Sequence, residues 1–314
     1  MKTNIKNTFD KASLTLLKLG FTRCKNSSKL GSHSFAQVFI FALSSFLFIS
    51  CDQQEIESPD SLKDTPLTIA SAGVAELTTR AIIEGQLIGS VDENVSISVW
   101  VEGSAEKYNA NNVEWYHNGA NWYSNSTVLY EGENKQKICA LSPYVDGASA
   151  DGVTITADGV TDYLVASQTL ITSNPVKINM SHALAKLVLN PTLGTEVTGD
   201  NIATVEVQNM YTQGTFNVEE NNWTNCTGTT AFTMTNNEVL VIPMEECESF
   251  PIVITMESGR VFSANISLAN VDNKLEGGTQ YTISLQIGQD KVTLGDISAA
   301  SWGTPVDGGE LETE

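Results

Sequence analysis

The stretch Val95–Val101 reads VSISVWV, so that aliphatic residues alternate with serine up to Trp100. A period of two places the four aliphatic side chains on one face of an extended strand and Trp100 on the other. We therefore predict a half-buried β-strand whose aliphatic face meets a core. Trp100 is expected either to be exposed or to pack against another layer.

The same alternation recurs along the chain, in VTITA, TVEV, EVLVIP, PIVIT, ANISLAN and YTISLQI. Short β-branched segments of this kind, separated by Gly, Asn and Asp, are typical of antiparallel β-sandwiches. Helical periodicity is nearly absent from residue 51 onward. A sandwich usually takes ~100 residues, so the strand-rich region predicts an all-β fold with two of them.

Two hairpins are predicted from turn residues. Ser258-Gly259 separates two apolar strands, and Asn118-Gly119 is suited to a two-residue type I′ turn. That second turn places Trp115 directly across from Trp122 as a cross-strand aromatic pair. Two interpretations stay open for these tryptophans: a pair packed in the core, or a platform on which a sugar stacks.

The N-terminal region is typical of a secretory signal. Seven basic residues and one acidic residue precede the uncharged run FAQVFIFALSSFLFIS (residues 35–50), which ends at Cys51. The run is shorter than the ~20 apolar residues of a spanning helix. A cysteine directly after a small residue at this boundary is similar to the acylated first residue of a bacterial lipoprotein. An uncleaved anchor and plain secretion remain as alternatives.

Charge and composition exclude several classes of function. The chain carries a formal charge of −20, and residues 51–314 hold 10 basic and 36 acidic residues. Such a surface repels phosphate backbones, so we expect no nucleic-acid partner. No calcium loop or zinc-spaced cysteines appear, and we expect no metal or cofactor. Cys139, Cys226 and Cys247 are interpreted as free thiols, with a Cys226–Cys247 disulfide as the alternative.

Catalytic motifs are also missing from the sequence. It contains no nucleophile elbow, phosphate loop, zinc-protease motif or dinucleotide fingerprint. Two histidines follow residue 50: His117, expected at the solvent-facing hairpin turn, and His182, expected to be structural. We therefore predict that the protein is not an enzyme.

Ordered motifs give the chain a resemblance. The segment HALAKL (182–187) follows NPVKINMS (174–181), and GTE, IATVEVQNM and GTFN come next in that order. The end of the chain, GGTQYTISLQIGQDKVTLGDISAASWG, closes on Trp302. From about Thr78 onward, the sequence resembles the fimbrillin-like lipoproteins that build or decorate type V pili of Gram-negative anaerobes.

The resemblance implies a fold and an assembly route. The family fold is two tandem transthyretin-like β-sandwiches. In polymerising members, an arginine-specific protease cuts near the position of Arg80-Ala81 and removes the lipidated leader with the first strand. A strand of a neighbouring subunit then fills the groove. The alternative is an ordinary surface arginine in a polar tether.

We accordingly expect four segments: a signal peptide (1–50), a lipid-anchored tether with a removable first strand (51–80), and two sandwiches (81–180 and 181–314). The predicted function is a pilus subunit at the outer membrane and later in the fimbrium, with other pilins as partners. The acidic tail after Trp302 favours a tip or accessory position, unless Val292–Trp302 is itself a donor strand. The alternative function is an anchored lipoprotein that binds host glycan or protein.

Overall fold

The computed structural model of the protein describes residues 59–74 and 95–302. These residues form sixteen strands and three short 3-10 turns, with no α-helix among them. The strands are β1 Ile69–Val74, β2 Val95–Glu102, β3 Ala110–His117, β4 Trp122–Ser124, β5 Lys137–Ser142, β6 Val153–Thr156, β7 Leu164–Leu170, β8 Val176–His182, β9 Ala185–Leu193, β10 Ile202–Asn217, β11 Asn222–Thr233, β12 Glu238–Val241, β13 Ser249–Met256, β14 Val261–Ser267, β15 Thr279–Ile287 and β16 Val292–Ser301. The 3-10 turns are Pro59–Leu62, Glu106–Tyr108 and Ala269–Val271. The all-β prediction is confirmed.

The strands are arranged in three sheets. A seven-stranded sheet has the order β1-β8-β7-β5-β2-β3-β4. A five-stranded sheet has the order β11-β10-β13-β14 with β6 added on β10, and a four-stranded sheet has the order β12-β9-β15-β16. Within the described residues, two of the pairings between these strands are parallel, β1 with β8 and β9 with β15. The others are antiparallel.

Alternation of apolar residues determines which side chains enter the cores. The five- and four-stranded sheets share one large core, to which β9, β10, β13 and β15 all contribute aliphatic side chains. One face of the seven-stranded sheet forms a second core that includes Ile97, Val99 and Val101, the face predicted from VSISVWV. The predicted hairpin at Ser258-Gly259 is confirmed, since β13 pairs with β14 and Gly259 has a φ of +86°.

The opposite face of the seven-stranded sheet is covered in part by another layer. Trp100 is buried there with Cys139 and Leu141, against Val153 of β6 and Phe216 of β10. Trp100 therefore packs against a second layer, one of the two outcomes expected for it.

The predicted segment boundaries stay predictions. The expected division between residues 180 and 181 falls within β8, and β6, which precedes it in the chain, pairs with β10 beyond it. Across residues 59–74 and 95–302, no helix has the length and apolar character needed to cross a bilayer.

Candidate functional site

The first strand that the structure describes, β1, lies in a groove at the edge of the seven-stranded sheet. β1 runs parallel to β8, with register pairs from Ile69–Val176 to Val74–Met180 and an irregularity after Ile69. Among the strands that the structure describes, β1 pairs with β8 alone and is therefore an edge strand of this sheet. An edge strand is held by one ladder, which makes it easier to exchange than a central strand.

The residues just before β1 are bound on the other wall of the groove. The amide of Asp64 donates to the carbonyl of Tyr130 at 2.8 Å, and the amide of Tyr130 donates to Thr65 at 2.9 Å. The amide of Leu67 donates to the carbonyl of Val128 at 2.7 Å. The segment 64–74 thus lies between β8 and residues 128–130, and we call this site the first-strand groove.

A side-chain amide holds the entrance to β1. Oδ1 of Asn174 accepts hydrogen bonds from the amide and the hydroxyl of Thr68, both at 2.9 Å. Its Nδ2 donates to the carbonyl of Pro66 at 2.9 Å. Asn174 therefore satisfies main-chain groups at the point where the chain passes from one wall of the groove to the other.

Apolar side chains anchor β1 in the core of the sheet. Leu67, Ile69 and Ala72 are 3%, 7% and 1% exposed, and they pack in the same core as Val176, Ile178 and other residues of the sheet. Burying an aliphatic side chain such as Leu or Ile is worth about 1.5–3 kcal/mol relative to exposure. The apolar stretch expected to supply a removable strand is thus a buried strand in the structure.

Several predicted site residues lie outside the described part of the chain. Cys51, Arg80 and Ala81 belong to this group. The lipidation and cleavage predictions therefore stay predictions. Sequence reasoning did not single out Asn174 as a functional residue, although it stands in the quoted NPVKINMS segment.

The aromatic hairpin differs from its prediction in register. Trp122 pairs with His117, and Trp115 pairs with Ser124, so the two tryptophans do not face each other. The loop has four residues, 118–121, since His117 pairs with Trp122. Within this loop, Oδ1 of Asn118 accepts bonds from the amides of Ala120 and Asn121 at 3.1 and 3.0 Å. In addition, Asn118 does not take the positive φ that a type I′ turn requires, whereas Gly119 does.

The burial of the hairpin also corrects the sugar-platform interpretation. Trp115 and Trp122 are only 4% and 8% exposed, so neither indole offers a surface for stacking. The register error is two residues, an even number, and both rings consequently remain on the predicted common face. The exposed aromatics are Tyr116 and Tyr123, which are 39% and 41% exposed and stack with centroids 5.6 Å apart.

The two described histidines have different environments. His117 is 7% exposed, and not solvent-facing as expected; its Nδ1 accepts a bond from the amide of Gly119 at 3.3 Å. Burial lowers the pKa of His117. His182 bonds Asp162 through Nδ1 at 2.8 Å and stacks on Trp302, with ring centroids 3.5 Å apart. His182 is thus hydrogen-bonded and packed against an aromatic ring, and its structural role stays a prediction.

The described residues give little support for thiol chemistry or metal binding. Cys139, Cys226 and Cys247 are free thiols, and burial raises the pKa of each. In residues 59–74 and 95–302, no group of three or more His, Cys, Asp and Glu side chains is placed to hold a metal ion. The best-defined functional feature is therefore the first-strand groove.

Solved structures with a similar fold come from two species of Bacteroides. A candidate cell adhesion protein of Bacteroides uniformis is 17% identical, with 76% of this chain and 99% of that chain covered and a TM-score of 0.58. A candidate cell adhesion protein of Bacteroides ovatus is also 17% identical, with 76% and 98% covered and a TM-score of 0.57. Identities this low show a shared fold alone.

The sequence gives the closer assignment. None of the curated proteins compared with the chain matches it. A family model described as fimbrillin-like matches residues 79–302, the same region in which the ordered motifs occur. Because that match spans more than half of the sequence, the chain belongs to the fimbrillin-like family.

Proposed function

We propose that this protein is a structural or adhesive subunit of a cell-surface type V pilus, assembled by strand exchange after proteolysis at Arg80-Ala81. Membership of the fimbrillin-like family supports a fimbrial or adhesive role at the cell surface. The family consists of structural proteins, which agrees with the prediction that the chain is not an enzyme. The observation that carries the proposal is the edge position of β1 in the first-strand groove.

Removal of β1 would leave a site that requires a replacement. The main-chain groups of β8 that pair with β1 would lose their partners, and the core side chains under Ile69 would meet water. Both effects are costly, at about 1–3 kcal/mol for each buried polar group left unpaired. A strand from a second subunit restores the hydrogen bonds and the apolar contacts together, as in other cases of β-augmentation.

The protease experiment tests this mechanism. The chain has two arginines after Cys51, Arg80 and Arg260. Arg260 is held by Asp200, with Nη2 2.8 Å from Oδ2, and its Nη1 donates to the carbonyl of Gln289 at 2.6 Å. We expect an arginine-specific protease to cut after Arg80, to give a new N-terminus at Ala81, and to yield oligomers.

Two variants control this experiment. Arg80→Ala should stay uncut and monomeric, whereas Arg260→Lys should be cut and should polymerise like the wild type. Polymers that form equally well from Arg80→Ala would refute the cleavage mechanism.

The membrane anchor is a separate part of the proposal. We propose that Cys51 is acylated and holds the uncut protein at the outer membrane, because the apolar run of residues 35–50 ends at this cysteine. Cys51→Ala should move the protein from the detergent phase to the aqueous phase when cells are fractionated. Unchanged partitioning of the variant would rule out this anchor.

Within a pilus, we favour a tip or accessory position. The residues after Trp302, TPVDGGELETE from Thr304, are acidic and poor in strand-forming residues. The other possible donor, Val292–Ser301, pairs with β15 of its own chain as β16. Analysis of pilus preparations by immunogold labelling tests the position, and uniform labelling along the shaft would contradict it.

The second candidate function is an anchored lipoprotein that binds host glycan or protein without polymerising. The exposed Tyr116–Tyr123 stack favours it, since exposed tyrosine pairs are common in recognition surfaces. In the uncut Arg80→Ala background, the Tyr116→Ala and Tyr123→Ala double variant should then lose binding to host cells. Retained binding would remove the support that this hairpin gives.

A further inference from the structure

A cleft between the seven-stranded sheet and the layer that covers it forms a second candidate site. Its volume is about 400 Å³, within the range of small-ligand pockets. One wall consists of residues of β2, β5 and β7. The other includes Asp151, two residues before β6, and Glu219, two residues after β10. We call it the acidic cleft.

Three carboxylates and one ammonium group line the acidic cleft. Lys137 lies 3.8 Å from a carboxylate oxygen of Glu102, and Gln168 bonds both of these side chains, at 3.2 and 3.1 Å. The charge of Lys137 is thus offset by Glu102. Asp151 and Glu219 are both exposed and have no hydrogen-bond or ion-pair partner among the described residues. The cleft therefore carries two uncompensated negative charges.

The floor of the cleft is apolar and holds an unused donor. Trp100 and Ile138 line it, and Trp100 is 6% exposed. The indole Nε1–H of Trp100 is buried and has no acceptor in the described part of the structure. Burial raises the pKa of the Cys139 thiol, also at this floor, to about 12, and the charges of Glu219 and Glu102 add to this effect. The carboxylates of Glu102 and Glu219 thus both affect the thiol of Cys139.

These features distinguish between classes of ligand. A bound metal ion is disfavoured because the described carboxylates do not converge into a metal-binding group. A neutral sugar is disfavoured because Trp100 presents almost no ring surface on which it could stack. A side chain with a cationic end fits best, since its charge can reach the carboxylates of Asp151 and Glu219, which have no other partner among the described residues.

We propose that the acidic cleft binds a lysine or arginine side chain presented by a peptide segment of a partner protein. The carboxylates of Asp151 and Glu219 receive the cationic group. This inference is independent of strand exchange, because none of the residues that line the cleft belongs to β1 or β8.

Fluorescence anisotropy of a labelled peptide tests the proposal with the full chain in detergent. The probe is a short Gly/Ser peptide with two lysines, and its matched partner carries Nε-acetyl-lysines. We expect the lysine peptide to bind and the acetylated peptide not to bind. The double variant Asp151→Asn/Glu219→Gln should weaken binding roughly tenfold, since two exposed charge pairs are removed.

The double variant Glu245→Gln/Glu246→Gln is the matched control, because both residues are exposed and lie outside the cleft. It removes two negative charges and should leave the affinity unchanged. Equal weakening by the control and the cleft double variant would indicate general attraction to an acidic surface and would overturn the proposal. Absence of lysine-peptide binding would overturn it too, as would tight binding of a neutral oligosaccharide lost in the cleft double variant. Cleavage at Arg80 and assembly should proceed normally in the cleft double variant, so the two proposals fail separately.

Discussion

The two parallel strand pairs among the described residues resemble each other in geometry and differ in their position. β15 pairs with β9 over eight residues, from Gln280–Lys186 to Ile287–Leu193, and it also pairs with β16 on its other side. Tyr281, Ile283 and Ile287 of β15 are at most 2% exposed. β15 is thus a central strand of its sheet.

β1 has a shorter and less regular ladder. It pairs with β8 through five register pairs, with a shift after the first, and it ends one side of its sheet. Its neighbours in sequence, residues 75–94, lie outside the described range. The comparison indicates that parallel pairing itself does not decide whether a strand can leave. Whether a strand can leave its sheet depends on whether it has neighbours on both sides and on how much of the core its removal exposes.

The opposite edge of the seven-stranded sheet tests whether edge position alone makes a strand detachable. Trp122 of the edge strand β4 is buried in the core, whereas its neighbour Tyr123 is 41% exposed. We expect Trp122→Ala to lower the free energy of unfolding by about 3–5 kcal/mol, measured by urea denaturation. Tyr123→Ala, the matched control, should cost less than about 1 kcal/mol. Similar losses in both variants would show that β4 is loosely held.

Two buried isoleucines, Ile283 of β15 and Ile69 of β1, allow the stability of the two strands to be compared. Ile283→Ala should cost about 2–5 kcal/mol of global stability, because β15 cannot leave without opening its core. Ile69→Ala should cost less, since its loss is limited to the free energy with which β1 docks. Hydrogen exchange should then speed up in β8 and remain slow in β9. Equal acceleration in both strands would mean that β1 does not open independently.

Removal of the Asn174 side chain should loosen β1 without touching the core. Asn174→Ala deletes four side-chain hydrogen bonds, two to Thr68 and one each to Pro66 and Thr65, with an expected loss of about 1 kcal/mol at this partly exposed site. Assembly after cleavage should become faster, as seen by size-exclusion chromatography. Asn125→Ala, in an exposed loop, serves as the control, and an unchanged rate for Asn174→Ala would argue against strand release as the slow step.

The smallest expected effect is a pH dependence at the hairpin. Burial lowers the pKa of His117 from its ordinary value near 6.5, so below that pH the unfolded chain takes up a proton that the folded chain does not. Stability should therefore fall as the pH decreases from about 6.5. The melting temperature of the wild type should drop more between pH 7.5 and 5.5 than that of His117→Gln. Parallel pH profiles would exclude this contribution.

The hairpin shows what a sequence determines about this fold. Alternation places Trp115 and Trp122 on one buried face, and this inference survives a register error of two residues. The register itself depends on the side chain of Asn118, whose bonds to two loop amides produce a longer turn. A dipeptide signature for the turn does not contain that information.

The groove and the cleft show what a sequence leaves open. The apolar stretch around Ile69 predicts a strand, but its parallel partner lies about a hundred residues away in the chain. The acidic cleft arises because β2 and the end of β10 meet across two layers. Contacts of such long range have no local pattern, so neither Asn174 nor Glu219 could be selected as a site residue beforehand.

β8 also has a mechanical consequence. It pairs with β1 along Val176–Met180, and its last residue, His182, stacks on Trp302, whose amide donates to the carbonyl of Gly278 at 2.7 Å. A pull along the axis of β1, or of a strand in its place, acts parallel to β8 and loads the ladder hydrogen bonds together in shear. The same strand then passes tension to Trp302, the last residue that the structure describes, through the stacked ring of His182.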